Sequence, residues 1–294
     1  MTKKVTIKES VHVFALAVLL NAVVSVLLGF YIVLADGDIN PWLLLIAAQV
    51  CFLVATGIIL WTKKINVKEN FGLDKPPKPL NVFLFFALSV GLILLLIPVY
   101  NLFSSLLEKL GYVEKPDIFP IAGLSGWQLA GAAILMCVVP AICEEFVFRG
   151  IILQGFRTKK LDIKAVLISA VLFSLIHMNV EQTLHPLVMG VVFGFVYCLT
   201  ESLWSCVILH FFNNRFAFVT SAFPATEAFL AGNWLWLMFA GIAMSATAGY
   251  FLWKQKDESS IISPARTDNL NFLDILFLVG AIGFCLSIWI AGLF

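Results

Sequence analysis

The sequence predicts an all-α polytopic membrane protein of eight or nine transmembrane helices, and three observations carry that prediction. Charged residues make up 13% of the 294 positions and hydrophobic ones 61%. A soluble domain carries about 25% charge, so this chain has too few charges to coat a water-facing globule. Apolar runs approaching the roughly 20 residues that a spanning helix needs recur from end to end. The loops between them alternate between rich and poor in Lys and Arg. A net charge of +1 offers no field that would recruit nucleic acid.

The first run, 12–35, follows Lys3, Lys4 and Lys8. It is longer than a signal-peptide core and no small-residue cleavage site stands out, so it reads as a span. The second, 42–61, is uncharged, carries Trp at both ends as an interfacial belt would, and precedes Lys63, Lys64, Lys68, Lys75 and Lys78. The third is 80–102. The loop after it, about 103–126, holds Lys109, Lys115, Pro116 and Pro120 and is expected to lie partly on the membrane surface. The fourth run, 127–155, is followed by Arg157, Lys159, Lys160 and Lys164. Runs at 164–177, 184–200 and 204–221 are short, either spans or short helices buried among the others. The eighth, 232–253, precedes Lys254, Lys256 and Arg266. The ninth, 272–294, is a span or an interfacial helix, hence eight or nine. Basic residues therefore precede the first span and follow the second, fourth and eighth, alternating with poor loops. The positive-inside rule then places the N-terminus in the cytoplasm, in the plasma membrane of a prokaryote as expected location. Residues 1–294 read as one transmembrane domain without repeats. Cys51, Cys137, Cys143, Cys198, Cys206 and Cys285 all lie in apolar runs with no CxxC pair, and read as small apolar fillers outside any disulfide.

An ionisable residue inside a span costs about 2.5–3.5 kcal/mol on insertion scales and marks a candidate functional position. Seventeen uncharged residues, 127–143, lead directly to Glu144 and Glu145. Adjacent helical residues point about 100° apart, so the two acids cannot share one role. Glu145 stands four residues before Arg149, the favourable order for an ion pair, which leaves Glu144 without a partner on its own face. Pro140, one turn earlier, predicts a kink. His177 ends the fifth run. His210 and Asn214 share one face of the seventh, and Arg215 follows without an assigned task. The plain reading of each is interhelical hydrogen bonding. Depth argues for more. The basic turn is centred near Lys160, and Glu144 and His177 lie about 16 residues to either side, so an antiparallel hairpin brings them level. His210 lies only about 12 Å beyond Glu201, and matches that depth if the Glu201 turn is sunk in the protein or the basic turn protrudes.

Taken together, Glu144-Glu145…Arg149, Phe173…His177 and His210…Asn214 resemble the EExxxR, FxxxH and HxxxN motifs of the CAAX protease and bacteriocin-processing family of intramembrane proteases, which includes the type II CAAX prenyl endopeptidase. The resemblance covers about residues 120–220, a catalytic core on spans four to seven. It implies that Glu144 and His177 activate a water molecule. His210 and Asn214 would bind the oxyanion or, with Glu144 and His177, help to hold a metal. Glu144, His177 and His210 make a His₂Glu set suited to zinc or another divalent cation, and the same residues also suit a metal-free mechanism. The implied substrate is a peptide or membrane protein in the bilayer, prenylated or not. Two rivals stand beside this reading. Gly123-Leu124-Ser125-Gly126 fits the GxSG motif of rhomboid serine proteases, but their HxxxN precedes the serine, and here it follows by 84 residues. A transporter or idle membrane partner would use the same polar residues for packing or proton transfer, and would show a repeated half.

Overall fold

The computed structural model describes residues 4–35, 40–113, 121, 123–255 and 268–293. Lys3, Lys115, Pro116, Pro120, Lys256 and Arg266 lie outside the described residues, as do 114–120 and 122 of the surface segment expected at about 103–126, whose start is instead helical as far as Lys109. Among the described residues the chain forms ten helices: α1 (Ile7–Ala35), α2 (Pro41–Lys63), a one-turn α3 (Val67–Phe71), α4 (Pro79–Lys109), α5 (Gly126–Phe156), α6 (Ile163–Leu175), α7 (Leu184–Thr200), α8 (Leu203–Ala222), α9 (Pro224–Lys254) and α10 (Phe272–Ala291). Each of the nine apolar runs is helical. Six of them, α1, α2, α4, α5, α9 and α10, are long and apolar enough to cross a membrane. At 1.5 Å per residue, α6 is only about 20 Å long, so α6 and α7 are short helices set among the longer ones, while α8, with 20 residues, is as long as α10 but is not among the six.

Local chemistry accounts for the ends. Thr6 and Glu9 are spaced as a capping box, and the backbone N–H of Thr6 donates to Glu9 Oε2 at 2.8 Å, so α1 begins before the first wholly apolar residue. Asn40 caps α2, Asp162 caps α6, Ser202 caps α8 and Asn271 caps α10, each accepting from a first-turn N–H. Pro224 in the first turn of α9 starts that helix eight residues earlier than the apolar run suggests. α4 packs along α9, α6 along α7, and α1 against both α2 and α10. The α6–α7 approach depends on Gly190, where an added Cβ would stand 2.9 Å from the Ala170 Cα. Large apolar side chains such as Leu34, Trp61, Trp236 and Phe272 remain exposed, as expected of surfaces covered by lipid. All six cysteines are buried and free.

Three ion-pair clusters tie together helix ends that the basic loops assign to one side. Lys63 reaches Glu9 at 3.7 Å. His12 and Lys8 meet Asp274 at 2.8 and 3.7 Å. Arg157 and Lys75 hold the two oxygens of Glu201 at 2.9 and 3.1 Å. The Glu201 turn is also roofed by the segment around α3: Ser202 and Trp204 donate to the carbonyls of Lys75 and Leu73, and Gly72 lies directly on the Glu201 carbonyl. Of the two ways to bring His210 to the depth of Glu144, the sunken turn is therefore the one the fold uses.

Glu201 has φ +51°, a conformation that favours glycine, and its charge pairing explains why an acid stands there. Burial alone would raise its carboxyl pKa, but the hydrogen bonds and charges of Lys75 and Arg157 outweigh that and hold it below the ordinary value. A depressed carboxylate stabilises the fold above its unfolded pKa and loses that contribution as pH falls through the folded value. Glu201→Gln is therefore expected to lower the melting temperature at pH 7, and the gap to wild type should close as pH falls below about 4. A gap that is the same at pH 7 and pH 3 would contradict the pairing.

Candidate active site

The acid pair sits where α5 departs from regular α-helix on both sides. Residues Ile134–Val138 form a π-helical segment just before Pro140, and Phe146–Ile152 form a second just after Glu145. Such segments are rare and frequent at functional sites. The expected irregularity at Pro140 is thus present, and a second one, which no proline announces, follows it. Side chains from other helices bond carbonyls in the second segment: Ser10 Oγ donates to the Ile151 and Ile152 carbonyls at 3.0 and 3.1 Å, and Ser169 Oγ to that of Phe148 at 3.2 Å.

Glu145 and Arg149 form the predicted pair at 2.9 Å, both wholly buried. The second guanidinium nitrogen of Arg149 donates to the Gly190 carbonyl at 2.9 Å, and the group lies 4.8 and 5.1 Å from the ring centroids of Phe173 and Phe193. His210 joins the same carboxylate: its Nδ1 donates to Glu145 Oε1 at 2.8 Å while its ring stacks on Phe193 at 4.8 Å. The histidine of the third motif is therefore held directly by the second glutamate, a link that sequence spacing does not reveal.

Glu144 is held differently. Gln49 Nε2 on α2 donates to its Oε1 at 3.1 Å, and its Oε2 lies 3.8 Å from His210 Nε2, outside direct hydrogen-bond range. It lines a cavity of about 370 Å³ together with His177, Asn21, Gln49, Pro140 and Gln182. His177 stands just past the end of α6, followed by Met178 with φ +49°. Its Nδ1 lies 2.7 Å from the Phe173 carbonyl. A carbonyl only accepts, so that contact puts the hydrogen on Nδ1 and leaves Nε2 as the acceptor. Glu144 and His177 line one cavity, whereas His210, expected to converge with them, does not line it and comes no nearer than 3.8 Å to Glu144 through Nε2.

Asn214 is not bonded to Glu144, His177 or His210. Its Nδ2 donates to the Met136 carbonyl at 3.4 Å, and its Oδ1 accepts from Asn213 Nδ2 at 3.3 Å. Asn213 also reaches His185 Nε2 at 3.0 Å, and the His185 ring lies against Tyr100. Arg215 is exposed with its guanidinium 5.5 Å from the Phe218 centroid. Ser125 is an exposed N-cap bonded to Gln128, nineteen residues of helix away from Glu144 and so about 28 Å along the axis. Its cap role accounts for it and leaves the rhomboid reading without a nucleophile near a histidine. Sequence spacing missed Gln49 and His185. Both were findable, as the lone amide amid the second run and as an ionisable residue opening the sixth.

The donors suit zinc in kind. Each histidine has Nδ1 bound to an oxygen and Nε2 away from it, the second-sphere pattern that orients metal-binding imidazoles. In arrangement they do not: among the described residues no three His, Cys, Asp or Glu side chains form a group able to hold a metal ion as they stand. What the chain's own side chains provide is a carboxylate and an imidazole on one largely apolar cavity, braced by a buried Glu–Arg–His network.

Comparison with known proteins falls on the same segment. The family model described as "Type II CAAX prenyl endopeptidase Rce1-like" matches residues 126–216, from the start of α5 through Asn214. A Bacillus subtilis (strain 168) protein named "Putative membrane peptidase YdiL" is 32% identical over 91 residues, 31% of this chain and 37% of that protein. "Uncharacterized protein YyaK" of the same organism is 29% identical over 183 residues, 55% of this chain and 61% of its own length. The chain thus matches about a third to three-fifths of these curated relatives, and no solved structure matches it. The segment that carries all three motifs resembles the type II CAAX prenyl endopeptidase Rce1-like family, as the motifs predicted.

Proposed function

We propose that this protein is an intramembrane endopeptidase of the CAAX-processing type, which hydrolyses a peptide bond in a membrane-associated or prenylated substrate. The observation that carries the proposal is a division of labour between neighbours: Glu145 is consumed by Arg149 and His210, while Glu144 lines a cavity with His177. A water molecule between Glu144 and His177 Nε2 loses its proton to Glu144 and attacks the scissile carbonyl. The N–H of Asn214 not used by Met136 stabilises the oxyanion, and His210 Nε2 joins it in the doubly protonated ring, because Nδ1 already donates to Glu145. Glu144 then returns the proton to the leaving amine, giving one acid and one amine. The basic helix ends face the cytoplasm in this reading.

Purified full-length protein incubated with prenylated and unprenylated membrane peptides tests this directly. Cleavage of at least one, absent in Glu144→Gln, is the expected result. Equal cleavage by both proteins would overturn the role of Glu144.

The Nε2 atoms of His177 and His210, each facing away from its Nδ1 partner, leave one second reading: were these side chains and Glu144 drawn closer together, they would be the residues to hold a divalent cation, which would supply Lewis-acid chemistry. It predicts zinc in purified wild type but not in His177→Ala, and activity lost on chelation and restored by zinc. Full activity of metal-free protein would remove this reading and leave the purely organic site.

A further inference from the structure

We propose that Asn214 is a positioning residue as well as an oxyanion donor: its amide replaces the helical hydrogen bond that Pro140 cannot make. Met136 is four residues before Pro140, so the α-helical partner of its carbonyl is the N–H of residue 140, and proline has none; the π-helical segment Ile134–Val138, where the Val139 N–H reaches the Ile134 carbonyl, carries the chain past this gap. Asn214 Nδ2, from α8, occupies that place at 3.4 Å. The amide's orientation is fixed from the other side, because Oδ1 accepts from Asn213, which also bonds His185. A flipped amide would set oxygen against oxygen at Met136 and nitrogen against nitrogen at Asn213, losing both bonds. His185, Asn213 and Asn214 thus form a polar relay from α7 through α8 to the irregular turn of α5. That turn ends at Pro140, which lines the cavity one helical turn before Glu144. By pinning the freed carbonyl, Asn214 fixes where α5 resumes and hence where Glu144 stands.

The test is a double-mutant cycle between Asn214→Ala and Pro140→Ala, which restores a backbone N–H to residue 140. Asn214→Ala alone leaves a carbonyl unpaired and is expected to lower the melting temperature by about 3–6 °C. In the Pro140→Ala background the same change should cost less than about 1 °C. Isotope-labelling the methionine carbonyls adds a direct readout: Asn214→Ala should move one of the six labelled carbonyl bands to higher frequency, and should not do so beside Pro140→Ala. These two readouts are independent of catalysis and stand or fall apart from the proteolytic reading. A kinetic arm rests on that reading. The factor by which Asn214→Ala lowers kcat should shrink about tenfold in the Pro140→Ala background, with KM nearly constant. Equal melting losses in both backgrounds, or no band shift, would overturn the positioning role.

Discussion

Glu144→Gln is expected to lower kcat by at least about 10³-fold while leaving folding intact. Glutamine keeps the shape and can still bond Gln49, whose amide offers either oxygen or nitrogen, so the contact from α2 survives. What disappears is the only carboxylate that lines the cavity among the described residues, and with it the acceptor for the water's proton. General base catalysis contributes about 10²–10⁴-fold, and the same group returns the proton to the leaving amine, so both halves of the reaction suffer. Single-turnover cleavage and a melting curve on the same preparation check the two statements together. Wild-type turnover in a folded Glu144→Gln protein would move the base elsewhere in the site.

Glu145→Ala should fail for the opposite reason. It removes one carboxylate from two partners at once, leaving the Arg149 guanidinium wholly buried and His210 Nδ1 without its acceptor. Truncating one member of a buried ion pair costs about 3–5 kcal/mol, because the remaining charge has lost its counter-charge and cannot recover water. Low yield and a markedly lower melting temperature are expected. Replacing Arg149 by methionine in the same chain should restore part of the stability, since the uncompensated charge then disappears, but not activity, because His210 still lacks its anchor. Purified Glu145→Ala that melts like wild type would show that the pair contributes nothing to the fold. The two neighbouring glutamates thus separate in measurement: one loss is catalytic in a stable protein, the other is structural first.

The sequence by itself determined the all-helical membrane class, the nine apolar segments and the residues worth testing. Composition and run length respond to lipid directly, because every backbone group in hydrocarbon must be satisfied within its own segment. The Glu145–Arg149 pair was legible because i,i+4 geometry is local, and the shared depth of Glu144 and His177 because residue count along a hairpin measures distance. Tertiary structure alone decided which acid His210 serves, since α5 and α8 meet through 65 residues of intervening chain and their rotation about each other is set by packing on Phe173 and Phe193. It also decided that Gln49 reaches Glu144 from the second span, and that Asn214 turns toward the Met136 carbonyl, one turn before Pro140. These contacts join residues whose partners lie on other helices. Helical periodicity fixes the face on which each stands, and the crossing of the helices fixes what that face meets.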